Sequence, residues 1–159
     1  MKKIILLISV LCMGLQSFSQ SQSENEAPMS RQVIKVRQDM FEATVGILLY
    51  NVYKGQEFAY ELIDAGKLSG EAAKEYTEQQ KSTLRYLVDE LQKLVDVESP
   101  AGKKSDLKFY KDIKKALVLL SSQTTALSDY LENKPGAKDL FINNRSTTWR
   151  AIVAVMKKE

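Results

Sequence analysis

The stretch YKDIKKALVLLSSQTTALSDYL, residues 110–131, places Tyr110, Ile113, Leu117, Leu120, Thr124, Leu127 and Leu131 at spacings that alternate three and four. With 3.6 residues per turn, that alternation holds all seven on one side of an α-helix. A helix over 106–132, capped by Ser105, would be roughly 40 Å long. A chain containing one such one-sided helix must cover its stripe with other elements.

Three further segments carry the same pattern. Residues 31–65 hold the stripe Ile34, Phe41, Val45, Leu48, Val52, Gly55, Ala59 and Leu62, with Ser30 as N-cap and Gly66 as a left-handed stop. Residues 71–97 hold Ala73, Thr77, Gln80, Leu84, Leu87, Leu91 and Leu94, with Ser69 as cap and Ser99-Pro100-Ala101-Gly102 as terminator. Residues 135–157 hold Leu140, Phe141, Asn144, Thr148, Ala151, Ile152 and Val155, opened by Pro135. No turn-bounded stretch alternates with period two, so no strand is expected. Four helices with short connections predict an all-α, antiparallel up-down-up-down four-helix bundle with coiled-coil-like heptads.

Ahead of the first helix, Lys2 and Lys3 precede an apolar run over 4–15, then Ser17-Phe18-Ser19-Gln20. That is the layout of a secretory signal peptide with a small-x-small cleavage site, which predicts residues 1–19 as signal peptide and a mature start near Gln20. Residues 20–29, QSQSENEAPM, read as a polar disordered leader, and 30–159 as the bundle domain. The expected location is exported, periplasmic or secreted. Cys12 is the one cysteine. Leu11 precedes it and it sits inside the apolar run, so simple cleavage rather than a lipid anchor is expected.

Composition excludes several chemistries. The chain has no histidine, and its single cysteine leaves with the signal. Thiol and imidazole nucleophile pairs, haem attachment and Glu-x-x-His di-iron sites therefore cannot be built. No catalytic, cofactor or metal residues are assigned, and a non-enzymatic protein is expected. Removing the two signal lysines from 23 basic and 20 acidic residues leaves +1, which argues against nucleic acid as the ligand. No other segment approaches the ~20 apolar residues of a membrane span.

Two constellations remain. Gln56, Gln80, Thr124 and Asn144 lie at matching distances from the expected hairpin turns, with Thr77 and Thr148 nearby and Arg145 on the flank. The simpler reading is a hydrogen-bonded layer that fixes helix register. The other is a polar cavity for a small ligand, with Arg145 available to a carboxylate. Separately, Ile142, Trp149, Val153 and Met156 form a second apolar line on the last helix, away from its core stripe. Val118 and Leu119 on the third helix, and Val33, Val36, Met40, Ile47, Tyr50 and Phe58 on the first, also lie off-stripe. A helix apolar on two sides is either centrally buried or has a partner, and Trp is a favoured interface anchor. The leading expectation is a cell-envelope binding or accessory protein that meets a protein partner or a second copy through this face. The alternative is a small-molecule-binding bundle.

Residues 76–84, YTEQQKSTL, resemble the Leu-Thr-x-x-Gln segment of Spy-like periplasmic chaperones, with Tyr76 where that motif has Leu. The resemblance implies a chaperone-like role. Family members carry two such segments and a strongly basic cradle, whereas this chain has one segment and a near-neutral balance.

Overall fold

The structure, a computed structural model, describes residues 31–98 and 104–157. The expected signal peptide, polar leader and Ser99–Gly102 terminator lie outside the described residues. Four helices run in order: α1 (Arg31–Asp64), α2 (Gly70–Glu98), α3 (Lys104–Leu131) and α4 (Ala137–Met156). Among the described residues there are no strands. Two compact units divide the chain, residues 1–42 and 43–159. Of the first, the described part is the opening turns of α1, where Val33, Val36 and Met40 are exposed and Gln38 Nε2 donates to Glu42 Oε1 at 3.1 Å.

Residues 43–159 hold the core. The chain reverses after α1 at Gly66, whose φ of +65° suits a residue without a Cβ. Lys67 N–H reaches back to Leu62 C=O at 2.8 Å, six residues closed on one another as in a Schellman stop. Ser69 Oγ then accepts from Ala72 N–H at 3.3 Å and caps α2. After α3 the same device recurs with Asn133 at φ 55° and Lys134 N–H on Asp129 C=O at 3.0 Å. The helix expected from Pro135 begins two residues later, because Gly136 takes the N-cap position in a left-handed conformation.

Side-chain pairs set the register between helices. Gly55 faces the Tyr76 hydroxyl (α1/α2), Lys81 Nζ donates to Ser128 Oγ at 2.8 Å (α2/α3), and Asn144 Nδ2 lies 3.5 Å from Ser122 Oγ (α3/α4). At one end Asp64 accepts from Lys138 Nζ at 2.6 Å and from the Tyr130 hydroxyl at 2.7 Å. Met156 lies against Gly46 further along, so α1 and α4 run in opposite directions. The fold is an antiparallel up-down-up-down four-helix bundle.

The middle of the α3 stripe is buried as the spacing predicts: Ile113, Leu117, Leu120, Thr124 and Leu127 are all inaccessible to solvent or nearly so, while Tyr110 and Leu131 at its ends are half-buried. On α1, Val45 and Ala59 of the expected stripe are buried, but between them the buried line is turned by one residue from the expected one. Val45, Leu49, Tyr53, Gln56 and Tyr60 are buried, while Leu48, Val52 and Leu62 are half-buried on the flank. A hydropathy stripe undervalues Tyr53, Gln56 and Tyr60 because each has a polar tip. Here Tyr53 and Gln56 find partners for those tips, and the Tyr60 ring stacks on Phe141 at 4.7 Å. Leu140, assigned to the α4 stripe, is exposed instead. Phe141 takes the interior position beside Tyr60 and Leu127.

Candidate functional site

The outer seam of α1 and α4 carries a cluster of aromatic and charged groups. Trp149 is 37% exposed. Its ring meets Tyr50 edge-on at 5.9 Å and Tyr53 at 5.6 Å. One turn away, Glu57 is nearly enclosed and collects four hydrogen bonds. The Tyr53 hydroxyl donates to its Oε1 at 2.8 Å. Arg145 donates to the same oxygen through Nε at 2.8 Å and Nη2 at 2.5 Å, and Lys54 Nζ donates to Oε2 at 2.7 Å.

Burial alone would raise the Glu57 carboxyl, but the hydrogen bonds from Lys54, Tyr53 and Arg145 outweigh it and hold it below the ordinary carboxylate range. The partners respond in kind. The Glu57 carboxylate raises Arg145, and burial together with Glu57 raises the Tyr53 phenol. The arrangement locks the aromatic pair Tyr53–Trp149 onto a fixed ionic post. In the alternative small-ligand reading Arg145 is available to a carboxylate; here two of its N–H groups are committed to Glu57 of its own chain.

Around this post the second apolar line of α4 faces outward. Ile142 and Met156 are exposed and Val153 is half-buried. Met156 is partly accommodated by α1, because a Cβ at Gly46 would lie 2.9 Å from its Cγ. On α1, Ile47 and Phe58 are more than half exposed. Val118 and Leu119 lie elsewhere, in a groove of about 350 Å³ between α3 and α4 whose rim includes Lys111, Lys114 and Lys115.

The polar mid-layer is partly assembled. Gln56 and Thr124 are fully buried and meet directly, Gln56 Nε2 donating to Thr124 Oγ1 at 2.7 Å and to Leu120 C=O at 3.2 Å. Thr148 and Thr77 are fully buried too; Thr77 Oγ1 donates to Lys74 C=O at 3.0 Å within its own helix. Gln80 and Asn144 are half-buried and sit towards the flanks.

Three site residues escape a reading by hydropathy: Tyr53, Glu57 and Gln123. Tyr53 and Glu57 stand four apart on one helix, which is the available signal for a paired phenol and carboxylate. Gln123, fully buried next to Thr124, has no sequence signature.

Among the described residues no group of three or more His, Cys, Asp or Glu could hold a metal ion, and no helix is long and apolar enough to cross a membrane. No protein-family model, curated protein or solved structure matches this chain.

Proposed function

We propose that the protein is an exported, non-enzymatic binding or accessory protein of the cell envelope that engages a protein partner through the α1/α4 face centred on Trp149. The observation that carries this reading is Trp149 itself. It is a large aromatic group left more than a third exposed, braced by Tyr50 and Tyr53 and flanked by exposed Ile142, Met156 and Ile47. Large apolar groups left exposed along one helix seam are costly to leave in water, and where they form a patch they mark interaction sites. The Tyr53–Glu57–Arg145 post fixes the ring before any partner arrives, which lowers the ordering cost of association. Export rests on the N-terminal lysines, apolar run and cleavage-like Ser17-Phe18-Ser19.

Trp149→Ala tests the reading. Loss of an interface anchor should weaken association by about 2 kcal/mol or more, seen as a lost partner in pull-downs from envelope extract or a shift in size-exclusion profile. A ring that is only core would instead cost about 3–5 kcal/mol of folding stability. A large drop in melting temperature with unchanged self-association and unchanged partners would refute the docking face.

A further inference from the structure

Among the described residues, four buried polar atoms of the bundle interior are left unpaired: Gln56 Oε1, both amide atoms of Gln123, and Thr148 Oγ1. All three residues are completely buried. Turning the amides over does not satisfy them. Gln56 Nε2 donates to the Leu120 carbonyl, which can only accept, so the reversed amide would set two oxygens against each other. Gln123 has no hydrogen-bond partner for either amide atom.

The three heads belong to one layer. Gln56 is bonded to Leu120 and Thr124, so its amide lies against the α3 turn that carries Gln123. Asn144 lies opposite Ser122. In antiparallel helices that contact sets Thr148 level with residue 118, five residues or ~7.5 Å from Gln123 along the common axis. Helical side chains lean towards their own N-terminus. Gln123 therefore leans along α3 towards Leu120, and Thr148 leans along α4 towards the same level from the other direction. The Arg145–Glu57 pair gives the matching register on α1.

We propose that the buried heads of Gln56, Gln123 and Thr148 bind a small, uncharged, hydrogen-bonding guest at the centre of the bundle: water, or a neutral molecule that offers the same donors and acceptors. The two amide oxygens require two donors from the guest. The Gln123 amide N–H groups require an acceptor, and the Thr148 hydroxyl adapts to either role. Water meets this list, and buried waters of this kind make about three hydrogen bonds to otherwise unsatisfied groups. An ion is excluded by cost, since the layer offers three neutral groups and no counter-charge. Leu120, Leu127, Phe141 and Ile152 are also fully buried, so the guest is held in a closed core rather than in an open cleft. This site is independent of the docking face.

The mature protein and its Gln123→Met variant decide the matter. Nuclear Overhauser transfer between the Gln123 side-chain amide and a long-lived water, with a native mass equal to that of the polypeptide, identifies the guest as water. An added mass that is lost in Gln123→Met identifies a neutral small molecule. In either case Gln123→Met lowers the folding equilibrium constant severalfold, because it strips a ligand from the guest. If Gln123→Met does not fold, Thr148→Val, which removes the hydroxyl at constant shape, is read in the same way. No water transfer, no added mass, and a variant at least tenfold more stable than the parent would show that the amide is an unpaired liability and would overturn the proposal.

Discussion

Replacing Arg145 by methionine removes the guanidinium from Glu57 while keeping a long apolar stem along the α1/α4 seam. The wild-type carboxylate is 10% exposed in its side chain, and Arg145 is 38% exposed. A hydrogen bond to a charged group is worth about 1.5–3 kcal/mol when buried. Exposure of the guanidinium screens the pair, so the lower part of that range applies. Lys54 and Tyr53 still donate to the carboxylate in the variant, which limits the loss further. The expected cost is about 1–2 kcal/mol at neutral pH, or roughly 4–8 °C of melting temperature for a domain of this size.

The cost should depend on pH. Glu57 is held below its ordinary pKa in the folded protein. The stability it contributes is complete above the unfolded carboxylate pKa of about 4.3 and is lost as pH falls through the lowered folded value. Arg145→Met weakens one of the forces that lower that value, so parent and variant melting curves should converge in acid. A double-mutant cycle with Glu57→Gln, followed by circular dichroism from pH 7 to pH 3, measures the coupling. Trp149 is the single tryptophan of the chain, so its fluorescence reports whether the neighbouring ring moves. A variant deficit that stays constant across this pH range, or a coupling energy of zero, would refute the ionic-post reading.

Two further outcomes follow from the fold and the leader. Leu117→Ala, in the buried α3 stripe, should cost about 2–5 kcal/mol, while Lys111→Ala on the exposed face of the same helix should stay within about 0.5 kcal/mol; equal shifts in the denaturant midpoint would refute the register. Intact-mass analysis of protein recovered from the cell envelope should show a chain starting at or near Gln20 without lipid, and a diacylglyceryl adduct on Cys12 would overturn the free, exported form.

Fold class was legible because helix periodicity is a local property. The three-four spacing from Ile113 to Leu127 needs no knowledge of neighbours, and neither do Gly66 as a left-handed stop or Ser69 as a cap. The residues Ile47, Phe58, Ile142 and Trp149 could likewise be placed off the main stripes by counting turns, which left open whether they are buried. Composition likewise bears on chemistry without any packing: the chain has no histidine, so no imidazole ligand or base can be built from it.

The interior polarity was decided by tertiary structure. Hydropathy assigns Tyr53 and Glu57 to the margin of α1, and counting from the turns puts Gln56 in the polar layer without naming its partners. Their burial depends on groups remote in sequence: Leu120 C=O and Thr124 for Gln56, and Arg145 for Glu57. A polar side chain enters the core when a partner meets it there, and such partners are named by helix register rather than by the residue's own segment. For the same reason the middle of α1 is turned by one residue from its apolar stripe, Arg145 is bound to Glu57, and Gln123 sits in the centre with no hydrogen-bond partner from the protein.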